Sequence, residues 1–304
     1  MQRTEAVLGL GGSRGRPPSG DLLLSAGLLL ALLASMAVLL VLLTDMVATG
    51  WGVLADRAWA FLSSALSPDP GLTGLRQGIF GSLVLVGFVV VLTFPLGVAS
   101  AIYLEEYAPD NRLSRMINAN IRNLAGVPSI VYGLLGLAVF VKFAGAGRTL
   151  VAGGATLAIL VLPIMIITAS EALRAVPREL REASFGVGAT RWQTVRHQVM
   201  PVAAPAILTG TVLTVARAFG ESAPLLLAGA VLSNFFAPPA NTSLWQLVSS
   251  SDYTALPIIV FNWSRQPQQE FVAVTAAAIV VLLVILVLVN GTAIVLRDRF
   301  EVGR

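Results

Sequence analysis

The 304-residue sequence contains no cysteine, one histidine and one lysine. Without cysteine there is no disulfide framework, no thiol nucleophile and no thiolate metal site. The lone histidine, His197, sits in a charged loop and reads as a surface or packing residue; one imidazole supports neither a histidine-rich metal cluster nor triad chemistry there. The lone lysine, Lys142, follows Val141. A phosphate-binding P-loop needs a Gly-Lys-Ser/Thr run, so this chain is not by itself a Walker-type ATPase. Charge is scarce as well. Asp, Glu, Lys and Arg make up 12% of the chain, about half of the roughly 25% usual in soluble domains. Hydrophobic residues make up 56%, and mean hydropathy is +0.82. These values describe an integral membrane protein with no catalytic group or metal ligand set of its own. The net charge of +4 then reports topology and lipid contact, not nucleic-acid binding.

What is present is a series of apolar runs. Residues 1–21, rich in Gly, Pro and Arg, read as a disordered cytoplasmic tail. The 22-residue run Leu22–Leu43 is long enough to span and too long for a signal core, with Asp45 expected to end it. Residues 45–78 read as an outer loop with an amphipathic piece over 51–62, so 22–77 holds one span and its loop. Further spans are expected at 79–104 (kinked at Pro95), 124–141 (with Gly126, Gly133 and Gly136 suited to close packing), 149–170, 202 to about 231, and 271–296. Residues 233–270 form a polar segment with a Pro238-Pro239 turn and the aromatics Phe235, Phe236, Trp245, Tyr253 and Trp263. The predicted fold is therefore an all-α bundle of six spanning helices, both termini on one side. The two tails, the 105–123 loop and the 171–200 loop hold 14 of the 20 basic residues; the other side holds 5, and Arg217 falls inside a span. The positive-inside rule places both tails and the 171–201 loop in the cytoplasm.

That loop is the longest charged run. Pro177 suits a first helical turn, with Glu179 and Glu182 near the positive end of a helix over 177–185. Gly186 and Gly188 should break it. Thr190, with Gln193 three positions on, has capping-box spacing for a second helix. Trp192, Val195 and Val199 fall on one face of it. A second charged feature lies in the fifth span, where Arg217 and Glu221 are four apart and so expected to share a helix face. Intramembrane charges are costly and normally face a cavity or partner. The pair reads either as a structural ion pair or as part of an anion path. Arg217 lies 16 positions past Pro201, about 24 Å along a helix, which is deep in a hydrocarbon core of about 30 Å.

The loop resembles the cytoplasmic EAA loop of ABC importer permeases. That pattern stands here as Glu182, Ala183, Ser184, Gly188, Gln198, Met200 and Pro201; Ser184, Gln198 and Met200 depart from its Ala, aliphatic and Leu. Three other stretches are similar to the A-type permease of phosphate (Pst) importers: Glu105–Ala108, Asn123–Gly133 and Ala216–Leu225. The similarity runs from about residue 78 to 304, over the expected permease domain. It implies a type I, MetI-like permease core whose loop, through Glu182, Ala183, Ser184 and Gly188, docks on an ATP-hydrolysing subunit. It further implies a heterodimer with a C-type permease, two ATP-binding subunits that carry ATP and Mg while this chain binds no cofactor, an extracellular phosphate-binding protein, and a bacterial or archaeal cell membrane. Arg217 and Glu221 would line the substrate path. A permease for sulfate or molybdate, or an ATP-independent channel or carrier, is the alternative.

Overall fold

Apolar runs of 20 or more residues can satisfy their backbone in a bilayer only as helices. The computed structural model describes residues 19–231 and 253–302, and every regular element among them is helical. The expected tail over 1–18 and the residues Phe235, Phe236, Pro238, Pro239 and Trp245 lie outside the described residues.

Helix α1 (Ser19–Ser63) is 45 residues long. The chain divides after Ala48 into two compact units. In the first, the apolar side chains from Leu23 to Val47 are almost all exposed, as in a helix whose surroundings are lipid or another chain. Asp45 does not end the helix. One aspartate costs a helix interior no more than about 0.7 kcal/mol, less than unwinding an apolar run would cost in unpaired backbone.

The second unit starts at Thr49, upstream of the expected boundary at 78. Its part of α1 has one non-helical residue, Arg57 (φ −145°, ψ 34°). The Arg57 guanidinium donates to the carbonyls of Pro70, Gly71 and Thr73, tying down the turn after the helix. Phe61, Leu66 and Leu75 are buried in one cluster with Trp263 and Phe271. The expected outer loop over 45–78 is therefore helix and packed turn.

Helix α2 (Arg76–Ile102) ends in a π-helical turn, Tyr103–Tyr107. Helix α3 (Arg112–Ala125) is capped by Asn111, whose side chain accepts from the Ser114 amide; none of its residues is buried. The chain then bends by 98° into α4 (Ser129–Gly136), which runs on as a π-helical segment to Phe143. The bend falls at Val127-Pro128, where proline bars its predecessor from the helical region. The expected span at 124–141 thus starts at the bend, with its first residues ending α3 and the rest forming α4 and the π-helical segment. Helix α5 (Leu150–Arg174) is the most buried of the long helices. The chain passes through α6 (Arg178–Gly186), α7 (Arg191–Thr194) and a π-helical turn (Val195–Val199) into α8 (Met200–Gly220). A short α9 (Ala223–Leu227), α10 (Leu256–Trp263) and α11 (Glu270–Val302) complete the elements of the described residues.

Five of these helices are long and apolar enough to cross a membrane, and six if the bent pair α3–α4 is counted as one span. Glycines let them approach closely. A Cβ at Gly97 would lie 2.5 Å from Met165 Cγ, one at Gly154 2.7 Å from Phe88 Cβ, and one at Gly210 2.6 Å from Thr168 Oγ1. These contacts seat α2 and α8 on α5, as small residues do between membrane helices. At one end of α5, Ala169, Leu173 and Val176 pack with Val98 and Ala101 of α2 and with Val199, Ala203 and Ile207. That cluster is the floor on which the charged loop rests. Helix α10 was expected within a polar segment; instead its Ile258, Ile259 and Trp263 are among the most buried residues.

Candidate coupling loop and anion path

The loop is a helix-turn-helix, as its sequence implies. Pro177 is the N-cap of α6, one position before the helix, and Glu179 lies in its first turn. Gly186 ends α6 without breaking it. The turn is made by Gly188, at φ +86°, a region that L side chains enter only at a cost. Thr190 and Gln193 form the expected capping box: the Thr190 hydroxyl accepts from the Gln193 amide and the Gln193 side chain accepts from the Thr190 amide. The second helix does not stop at Pro201. It continues as one apolar helix from Arg191 to Gly220, so the second arm of the loop is the start of the next span.

Ser184, the departure from alanine in the motif, is 2.8 Å from Thr194 Oγ1. That contact joins the two arms of the turn, and Thr194 is 1% exposed. Val195 and Val199 face the core, whereas Trp192, expected on the same stripe, is 56% exposed. Thr194, next to Val195, is buried too, so the buried face is centred away from Trp192. Outward lie Glu182, Ala183 and Gly188, together with the apolar side chains of Leu180, Phe185 and Val187. Glu182 lines a cleft with Glu105, Glu106, Arg174, Arg178 and Arg181.

That cleft holds the charges sequence reasoning did not join. Arg174 Nε and Nη2 donate to the two carboxylate oxygens of Glu105, each at 2.7 Å. Arg181 Nη2 donates to Glu106 Oε1 at 2.6 Å. It also donates to the Leu173 carbonyl at 2.9 Å, and Nη1 donates to the Val176 carbonyl at 2.8 Å. Glu105 and Glu106 are only 12% and 10% exposed. Their signal in the sequence was two adjacent acids closing an uncharged span opposite an arginine-rich loop.

Arg217 and Glu221 come together differently from expectation. Arg217 is in the last turn of α8, and the helix stops at Gly220; Glu221 is extended (φ −79°, ψ 121°). The two do not share a helix face. Arg217 Nε is 3.8 Å from Glu221 Oε1, beyond hydrogen-bond length. The Arg217 side chain is 51% exposed and that of Glu221 20%. The expected fifth span to about 231 therefore breaks at 220; Pro224 has no amide to donate to the Gly220 carbonyl, which weakens the helix there. After the break, α9 crosses α4: a Cβ at Gly133 would lie 2.7 Å from Pro224 Cα. A cation in the last turn of α8 also offsets the negative end of the helix. The arrangement presents an accessible guanidinium next to a partly covered carboxylate, at a break between helices.

Known proteins share both sequence and architecture with this chain. It is 33% identical over 258 residues to the phosphate transport system permease protein PstA 1 of Mycobacterium tuberculosis, covering 84% of this chain and 81% of that one. It is 31% identical over 242 residues to a probable ABC transporter permease protein, YqgI, of Bacillus subtilis, covering 76% and 81%. Among solved structures, a bacterial alginate ABC transporter bound to its alginate-loaded periplasmic protein matches with a TM-score of 0.64 at 14% identity, over 90% of this chain and 93% of that one. An inward-facing MetNI methionine ABC transporter matches with a TM-score of 0.59 at 20% identity, over 74% and 95%. These structures establish the fold, that of MetI-like ABC importer permeases. The model of the binding-protein-dependent transport system inner membrane component family matches residues 93–300, and the chain belongs to that family.

Proposed function

We propose that the chain is the membrane-spanning permease subunit of an ATP-driven inorganic phosphate importer. The observation that carries this reading is the similarity, over four fifths of both chains, to a permease of a phosphate transport system. In this reading it pairs with a C-type permease in the bacterial or archaeal cell membrane, above two ATP-binding subunits that hold ATP and Mg. An extracellular phosphate-binding protein delivers the substrate. Both termini and the 171–201 loop lie in the cytoplasm. Glu182, Ala183, Ser184 and Gly188 belong to the surface that meets the ATPase: Glu182 as an outward charge that forms no ion pair among the described residues, Gly188 as the turn that sets the loop's shape.

Arg217 and Glu221 form the substrate path. A guanidinium fork matches the oxygens of phosphate in a bidentate way. Glu221 accepts a hydrogen bond from a protonated phosphate oxygen, a donor that sulfate lacks, so sulfate leaves two negative groups facing each other. The weak 3.8 Å contact between the two side chains leaves Arg217 free to change partners. The test is uptake of labelled phosphate by proteoliposomes holding this chain, its C-type partner, the ATPase and the binding protein. Uptake that requires ATP and that sulfate fails to compete supports the reading. Uptake of sulfate or molybdate instead, or uptake without ATP, overturns it.

A further inference from the structure

The cleft beside the loop contains a three-way junction that the docking role does not need. Arg181 stands on α6. Its guanidinium binds Glu106, in the π-helical turn that ends α2, and the carbonyls of Leu173 and Val176 at the end of α5. Leu173 is in the last turn of α5, where carbonyls run short of intrahelical donors, and Val176 lies two residues past the end of that helix. One side chain thus satisfies the end of one core helix, pairs with the end of another, and is carried by the helix between the loop and the core. A second, independent tie lies beside it, Arg174 of α5 to Glu105 of the same π-helical turn. A third strand of the junction is the approach of Arg191 Nη1, on the far arm of the loop, to the Glu106 carbonyl at 3.5 Å. Arg174, Arg181 and Arg191 therefore converge on two adjacent glutamates.

Surface ion pairs hold little free energy and little geometry. This one differs in two respects. The Glu106 and Arg181 side chains are 10% and 18% exposed, and the guanidinium is bonded on three sides, which fixes its plane. Beneath it, Val176 and Val199 pack with Val98 and Ala101 of α2, so apolar contact and charge hold the same elements in the same arrangement.

We infer that Glu106 and Arg181, supported by Glu105 and Arg174, are positioning residues that make the 171–191 segment and the ends of α2 and α5 a single rigid joint. Under the function proposed above, on which this inference rests, a displacement of the loop by the ATPase reaches two core helices at once. Neither residue touches the substrate. The joint acts through the helices, and losing it lets the loop move while the spans stay in place.

The absence of cysteine from the chain makes the joint directly measurable. Spin labels go on Tyr103→Cys, 58% exposed at the end of α2, and Val187→Cys, 86% exposed beyond α6. The distance distribution between them is recorded for the full chain in lipid vesicles, in the parent and in Glu106→Gln and Arg181→Lys backgrounds. Arg181→Lys keeps the charge and loses the fork. A narrow distribution in the parent and a broadened or shifted one in both variants is expected; the same distribution in all three overturns the joint. In the reconstituted transporter, phosphate taken up per ATP hydrolysed should fall about twofold to thirtyfold in both variants, with the amount of assembled complex unchanged. Loss of uptake only in proportion to lost complex would make the residues structural and overturn the inference. Failure of the parent to import phosphate would instead refute the proposed function, while the label distances would still decide the joint.

Discussion

Substitution of Gly188 by valine is the sharpest perturbation of the loop. At φ +86° the backbone is in the left-handed region, and a Cβ built there meets nothing within 4 Å. The cost is therefore purely conformational, about 1–2 kcal/mol for an ordinary L-residue and more for a β-branched one. What holds the turn closed is of similar size: a capping box worth about 1 kcal/mol and the Ser184–Thr194 hydrogen bond, also about 1 kcal/mol. Valine at 188 thus removes most of the margin, and each 1.4 kcal/mol multiplies the open population about tenfold. Gly186, two positions earlier, is helical and equally uncrowded, so Gly186→Ala should stabilise α6 by about 0.5–1 kcal/mol. Asparagine tolerates the left-handed region, and Gly188→Asn should retain most function. Amide exchange over 184–194 reads the opening, and phosphate taken up per ATP hydrolysed reads its effect. Gly188→Val should exchange faster and uncouple hydrolysis from uptake while the membrane bundle stays assembled. If it behaves like Gly186→Ala in both assays, the turn has no role in coupling.

Arg217→Gln should abolish phosphate uptake without disturbing assembly, and Glu221→Gln should weaken discrimination against sulfate; competition by sulfate in proteoliposomes checks both, and undiminished uptake by Arg217→Gln would leave the pair purely structural. Ser184→Ala leaves the Thr194 hydroxyl, 1% exposed, short of a partner at a cost of about 1–3 kcal/mol. The double variant with Thr194→Val should recover much of that loss in thermal unfolding, and a fully additive pair would refute the coupling. Gly133→Ala places a methyl group 2.7 Å from the Pro224 backbone, so it should lower thermal stability and impair uptake, since the backbone after the α8 break has to shift. Single cysteines placed near either terminus should react with impermeant reagents only from the cytoplasmic side; reaction from outside would overturn the topology.

The spans were legible because hydropathy is a local property: α2, α5 and α11 lie close to the runs expected for them. The capping box was legible because it needs only two residues three positions apart. Interruptions within apolar runs were less visible. Gly220 and Pro224 stand in the sequence, but the apolar residues continue past them, so the run read as one span through the break. Likewise α10, Leu256–Trp263, has eight residues, too few to register as a span although its side chains fill the core. Contacts between distant positions were not legible at all. Glu105 and Arg174 are 69 positions apart, and their pairing depends on α2 and α5 lying side by side. Ser184 and Thr194 needed the turn at Gly188 before they could meet. For Arg217 and Glu221 the spacing gave proximity, but the helix ends before the glutamate and leaves a looser pair.

The π-helical turn at the end of α2 adds a consequence of its own. Its wide turn is closed by the Ala108 amide donating to the Tyr103 carbonyl, five positions back. Such a turn holds one residue more than an α-helix would use, and that spare residue can sit at neighbouring positions along the chain. Each step of its position turns the residues it passes by about 100° about the helix axis. Glu105 and Glu106 lie within it, so Arg174 and Arg181 hold the turn in the register it has here. The ion pairs therefore set the rotational phase of the helix end, and the next turn of the chain inherits that phase. The Val195–Val199 turn on the other arm carries a spare residue of the same kind.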